Sequence, residues 1–144
     1  MRLIAGAVLV LFQVNPGTAD EPKDKKAELK NAVANADLIL VGKVTRTGLG
    51  TASSFDVGVI EASKVLQGDD KIKSVRFKFQ SSGSGVVAPY GKVGVEGVWL
   101  LSGEKAKGTP RGVLSFQPLT EEATVKALIK EAKKRNDEKA TKDR

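Results

Sequence analysis

The chain has 144 residues, a length that suits a single domain, and 40% of its residues are hydrophobic. Its 24 lysines and arginines outnumber 17 acidic residues, so the formal net charge is +7, and the charges are interspersed as on a solvated surface. The sequence contains no cysteine and no histidine. These absences exclude disulfides, thiol nucleophiles, cysteine-based zinc sites and Ser-His-Asp triads.

The first 19 residues are typical of a secretory signal peptide. Arg2 gives a positive start, residues 3–14 form an apolar run too short to span ~30 Å of hydrocarbon, and small residues close the segment. We predict cleavage between Ala19 and Asp20 and export to a periplasmic or extracellular space. A buried N-terminal strand or helix is the alternative interpretation. No later apolar stretch is long enough for a transmembrane helix.

Two elements are predicted at the start of the mature chain. Residues 22–36 have a loose apolar face and a proline in the first turn, which favours a helix that ends at Asp37. Residues 38–44 follow as the first strand, and their unbroken apolar start indicates burial on both faces. Glycines then mark a loop at residues 47–53.

The second predicted strand, over residues 55–66, changes the side on which its apolar residues lie. We interpret this change of parity as a β-bulge, with Gly58 permitting the bend. The apolar residues are first at odd and then at even positions: Phe55, Val57 and Val59, followed by Ile60, Ala62 and Leu66.

The third predicted strand, over residues 72–80, alternates clearly between apolar and basic residues. Phe77 and Phe79 share one parity and Arg76 and Lys78 the other, so we expect the rings in the core and the cations in solvent. Arg76 and Lys78 are therefore candidate interaction residues. A stacking platform for nucleic acid would need these rings on the wet face, which makes it the less favoured interpretation.

A long loop rich in glycine and serine is predicted over residues 81–97, and it contains Glu96, a third candidate interaction residue that we expect to be exposed. The fourth strand is predicted over residues 98–101. Strand parity and the apolar run together predict one shared core, made of Val75, Phe77, Phe79, Val98 and Leu100.

The fifth predicted strand covers residues 112–117 and is followed by a helix. Thr120 is the expected N-cap, and the apolar stripe of this helix comprises Val125, Leu128, Ile129 and Ala132. We end the single folded domain, residues 20–135, at Arg135. Residues 136–144 are almost wholly polar and are predicted to be a flexible charged tail.

Four segments in order carry a family resemblance: residues 34–44 (ANADLILVGKV), 55–68 (ending KVLQG), 97–103 (GVWLLSG) and 116–120 (FQPLT). Their order resembles that of the tissue inhibitors of metalloproteinases and the related netrin-like modules, over roughly residues 27–130. The resemblance implies a mainly β fold, a five-stranded OB-type barrel with a helix before the first strand and one after the last. The family's cysteines, including the N-terminal one that ligates a protease zinc, are missing, so we expect no zinc-chelating inhibition.

These observations favour an exported, non-catalytic binding module without cofactor or bound metal. The expected partner is a protein or an anionic envelope polymer, contacted through the loops at residues 47–53 and 81–97. The alternative is a single-stranded nucleic-acid-binding OB domain, against which export argues. A carboxylate-based enzyme is the third interpretation, and it would need two close carboxylates with perturbed pKa values.

Overall fold

The computed structural model describes residues 21–50, 55–80 and 90–143, with side chains described from residue 25 onwards. The predicted signal peptide, the junction of Ala19 and Asp20, and parts of both predicted contact loops lie outside the described residues. The elements follow one another as α1 (Glu21–Asn35), β1 (Leu38–Arg46), β2 (Phe55–Gln67), β3 (Ser74–Gln80), β4 (Glu96–Leu101), β5 (Arg111–Gln117) and α2 (Glu122–Lys142).

The five strands form one sheet that closes in a ring, in the order β1-β2-β3-β5-β4. Strand β1 pairs antiparallel with both β2 and β4, which places it at the junction that closes the ring. Strands β4 and β5 are antiparallel, whereas β3 and β5 are parallel. The mainly β class predicted from the sequence is confirmed, as is the helix after the last strand.

The closed sheet separates two hydrophobic cores. The inner core fills the ring and contains Leu38, Leu40, Val44, Ile60, Val75, Phe77, Phe79, Trp99 and Leu101. The outer core lies between the ring and the two helices and contains Leu29, Val33, Ala36, Ile39, Val41, Val98, Leu100, Val125, Leu128 and Ile129. Successive residues of β1 enter different cores, which confirms its burial on both faces.

The prediction of one core shared by β3 and β4 is wrong. Phe77 and Phe79 lie in the inner core, but Val98 and Leu100 lie in the outer core. Strand β4 is apolar on both faces, because Trp99 and Leu101 face the interior of the ring while the alternate residues meet the helices. An unbroken apolar run does not reveal which of its two parities faces which core.

The prediction of a bulge near Gly58 is right in position but not in strand. Strand β2 pairs with β3 in unbroken register from Phe55 to Glu61, but its register with β1 shifts between Val59 and Ile60, where Thr45 of β1 is the extra residue, and shifts again further along. The change of parity arises because β2 is apolar outside the ring at Val59 and inside it at Ile60. Gly58 instead makes room for a ring, since a Cβ there would lie 2.6 Å from Cε1 of Phe77.

The C-terminal helix packs as predicted but begins and ends differently. Val125, Leu128 and Ile129 are buried, and Ala132 packs against them. Thr120 is not the N-cap, because a 3₁₀ turn over Leu119–Glu121 leads into α2 without a side-chain cap. The helix continues beyond Arg135 to Lys142, so most of the expected tail is helical, and its flexibility stays a prediction. In the part of the chain described, no helix has the length and apolar character needed to cross a membrane.

Candidate functional site

The outer surface of β2 and β3 carries two of the three predicted interaction residues. Arg76 and Lys78 are exposed on β3, while the intervening Phe77 is buried inside the ring, as the alternation predicted. Their Cα partners on β2 are Val59 and Val57, respectively. The two cations therefore stand beside an apolar strip on the neighbouring strand, formed by the half-buried Val57 and the buried Val59.

Residues from β1 and the following loop complete this surface. Arg46 is the Cα partner of Val59, so Arg46, Val59 and Arg76 form a row across three strands. At the usual strand spacing, the Cα atoms of the two arginines are ~10 Å apart. Leu49, 40% exposed, borders the groove between them. We call this surface the β2–β3 face; it comprises Arg46, Leu49, Phe55, Val57, Val59, Arg76, Lys78 and Gln80.

Phe55 supplies an exposed aromatic ring on the same face. It is 50% exposed and lies opposite Gln80 of β3. The alternation of the sequence groups Phe55 with Val57 and Val59, but only the aromatic residues of β3 were considered for a solvent-exposed stacking platform. The signal was present in the alternation of β2, although only the closed ring establishes that this parity points outwards.

The carboxylate of Asp56 fastens the β1–β2 loop to the edge of this face. Its Oδ2 accepts a hydrogen bond from Gly48 N at 2.9 Å, and its Oδ1 accepts from Gly50 N at 2.9 Å and Val57 N at 2.7 Å. Burial by itself raises the pKa of Asp56, but the N–H groups of Gly50, Val57 and Gly48 together hold that pKa below its usual value.

We expect Asp56→Ala to lower the free energy of unfolding by about 1–2 kcal/mol, since three backbone donors lose a charged acceptor at a partly exposed site. Because folding lowers the pKa, this stabilisation is complete above the ordinary carboxyl pKa of 3.8 and disappears as pH falls through the lowered value. Denaturant unfolding between pH 2 and 7 measures both effects. Asp70→Ala, in an exposed turn, is the control, and equal losses in the two variants would contradict the assignment.

Glu96 does not join Arg76 and Lys78. It is exposed, as expected, but it is the first residue of β4 rather than part of a loop, and its Cα partner is Lys43 of β1. Lys43 is also the partner of Glu61 on β2, so a row of acidic, basic and acidic residues runs across the adjacent strands β4, β1 and β2. Arg76 lies on β3, whose partners are β2 and β5.

Among the side chains that the structure describes, two carboxyl groups have perturbed pKa values, and both values are lowered. Besides Asp56, Glu122 has its pKa lowered to about 2, by hydrogen bonds from Lys126 and then Lys64 and by their charges. Its Oε1 lies 2.8 Å from Nζ of Lys126 and 2.7 Å from Nζ of Lys64, so this cluster ties β2 to α2. Among the described residues, no three acidic side chains are grouped closely enough to hold a metal ion.

Of the predicted contact loops, only residues 47–50 and 90–97 fall within the described part of the chain. No protein-family model matches this sequence, and no curated protein matches it significantly. The geometry of the β2–β3 face is therefore the feature of this chain that indicates a function.

Proposed function

We propose that the chain is an exported, non-catalytic binding module with an OB-type, netrin-like barrel, and that its β2–β3 face binds an anionic polymer. The closed strand order and the parallel pairing of β3 with β5 support an OB-type barrel, which is a five-stranded Greek-key architecture. The helices before β1 and after β5 agree with the netrin-like arrangement that the sequence resemblance implies.

The observation that carries the proposal is the pairing of cations with apolar surface on one face. Arg46, Arg76 and Lys78 are exposed around the valines of β2, and the strands 2–3 surface is where OB-type barrels commonly bind extended polymers. The acidic neighbour Asp56 is already held by backbone N–H groups. Arginine guanidinium groups suit carboxylate, sulfate and phosphate, and the apolar strip accommodates the uncharged parts of a polymer.

The export half of the proposal depends on the first 19 residues, which lie outside the described part of the chain. Intact-mass analysis of exported protein is expected to give a chain that starts at Asp20. An anionic polymer of a cell envelope is a partner that an exported domain would meet, whereas nucleic acid is scarce there.

We expect the mature domain to bind polygalacturonate or poly(glycerol phosphate), and not neutral dextran. The double variant Arg46→Gln/Arg76→Gln should bind about tenfold more weakly, or ~1.4 kcal/mol, and the loss should shrink as salt screens the charges. The matched control is Lys133→Gln/Lys134→Gln, which removes two exposed charges from α2. Equal weakening in both variants would indicate only a net-charge effect and would contradict the proposed site.

Phe55 favours single-stranded nucleic acid as the second candidate ligand. A half-exposed ring on the same face as Lys78 and Arg76 is the combination on which bases stack in OB-type proteins. Oligo(dT) tests this candidate under the same conditions. Tighter binding of oligo(dT) than of either polymer, weakened by Phe55→Ala and falling steeply with salt, would replace the polymer proposal.

A further inference from the structure

Arg111, the first residue of β5, has a guanidinium group with only part of its hydrogen-bonding capacity used. Its side chain is 13% exposed, and Nη1 donates to the backbone oxygen of Ser102 at 3.1 Å. Among the residues described, Nε is buried and has no hydrogen-bond partner. A buried donor without an acceptor is costly, so this nitrogen needs an explanation.

The neighbouring nitrogen on the same edge is also loosely engaged. Nη2 of Arg111 lies 3.8 Å from Oε1 of Glu104, a distance that allows charge attraction but exceeds a hydrogen bond. Nε and Nη2 point in the same direction, and together they form the fork with which arginine grips two oxygens of one oxyanion. Glu104 therefore stands near this fork without filling it.

Arg111 borders a small pocket between β3 and the β4–β5 loop, lined by Ile72, Ser74, Val75, Arg76, Glu104, Gly108, Thr109 and Arg111. Ser74, Val75 and Arg76 also line the groove of the β2–β3 face. Arg76 thus borders both depressions, but its side chain belongs to the outer face of β3, whereas Arg111 is the partner of the inward-facing Phe77. The pocket therefore brings the guanidinium group of Arg111 together with the carboxylate of Glu104. A second anion entering here would meet the Arg111 cation once the Glu104 carboxylate moves aside.

We propose that this pocket is a subsite for a single oxyanion, a carboxylate, phosphate or sulfate group, held by the Nε–Nη2 edge of Arg111. Glu104 occupies the entrance and is displaced by the ligand. The subsite rests on the proposed function in that it extends the β2–β3 face, but it binds a free oxyanion as well as one carried on a polymer.

The test is titration of the mature domain with inorganic phosphate, inorganic sulfate and acetate, observed at the Nε–H resonance of Arg111 by NMR. We expect a saturable shift of this resonance, and the relative affinities distinguish tetrahedral oxyanions from carboxylates. Arg111→Lys keeps the charge but loses the fork, so global shifts in this variant should show binding at least about tenfold weaker. Glu104→Gln should strengthen binding because the competing carboxylate is gone.

Lys107→Gln, an exposed residue of the same loop, is the matched control and should leave binding unchanged. The central measurement uses the unaltered protein, so it decides the matter even if Arg111→Lys folds poorly. An Arg111 resonance that does not respond to any of the three anions would overturn the proposal. So would a destabilised Glu104→Gln protein without tighter binding, since Glu104 would then simply complete the hydrogen bonding of Arg111.

The subsite and the proposed function can fail separately. Phosphate binding at Arg111 without any polymer binding would support the subsite and contradict the proposal that the β2–β3 face binds an anionic polymer. Polymer binding that is unaffected by Arg111→Lys, with a silent Nε–H resonance, would support the polymer and overturn the subsite.

Discussion

Phe77→Ala is expected to lower the free energy of unfolding by about 3–5 kcal/mol, the largest single effect that we predict. Phe77 is fully buried inside the ring, and its centroid lies 5.3 Å from that of Phe79 and 5.1 Å from that of Trp99. Removing this ring opens a cavity between two aromatic neighbours, and the closed sheet around them limits how far they can collapse. The ring packs against the backbone of Gly58, which has no side chain that could move into the gap.

Lys78→Ala is the control for this prediction, because Lys78 is the next residue of β3 and is exposed on the opposite face. Its cost should be below about 0.5 kcal/mol, measured by urea unfolding of both variants under the same conditions. Comparable losses would mean that the two faces of β3 are assigned wrongly. The control has a further use, since Lys78→Ala should weaken polymer binding while leaving stability almost unchanged.

Gly97→Ala is expected to destabilise the fold by about 1–3 kcal/mol, although only one methyl group is added. A Cβ at Gly97 would clash with Cε2 of Phe116 and would lie 2.5 Å from the backbone oxygen of Gln117. Phe116 itself packs on Trp99, with ring centroids 4.6 Å apart, so it has little freedom to retreat. The glycine is therefore required for the close approach of β4 and β5, not for an unusual backbone angle.

The matched control is Gly112→Ala, on the adjacent strand β5. A Cβ there would meet the hydroxyl of Ser102 at 3.1 Å and the end of the Lys78 side chain at 3.8 Å, and both of these are side-chain groups. Thermal and denaturant unfolding should therefore show a clearly smaller loss for Gly112→Ala. Since part of the obstruction at Gly97 is backbone, trimming the ring with Phe116→Leu should rescue Gly97→Ala only in part. Full rescue would contradict the role assigned to the strand backbone.

The surface residues of β3 could be predicted from sequence because their signal is local. Arg76 and Lys78 alternate with Phe77 and Phe79, and period-two alternation needs no knowledge of the rest of the chain. The buried stripe of α2 was predictable for the same reason. Arg46 and Phe55, by contrast, were missed as members of the site. Arg46 lies on β1 and joins the row of Arg76 only through pairing across β2, and Phe55 reaches this face only because β2 pairs with β3.

The Arg111 pocket could not have been predicted from sequence at all. Arg111 and the β3 residues that line this pocket are far apart in the chain, and they approach because β5 pairs in parallel with β3, which adjacent strands joined by a short turn cannot do. Which nitrogens of Arg111 find an acceptor depends on its neighbours in the fold. Nη1 donates to the backbone oxygen of Ser102, whereas Glu104 in the intervening loop lies too far away to accept a hydrogen bond from Nη2, and Nε has no partner among the described residues.

The sequence by itself determined the mainly β class, the approximate positions of five strands, and the two-sided burial of β1, since these follow from local apolar patterns. Tertiary structure alone decided which parity of each apolar strand faces which core. Val98 and Leu100 turn towards the helices, while Trp99 and Leu101 turn into the ring. The physical reason is that closing the sheet creates two apolar environments of similar character, so hydrophobicity distinguishes buried from exposed but not one core from the other.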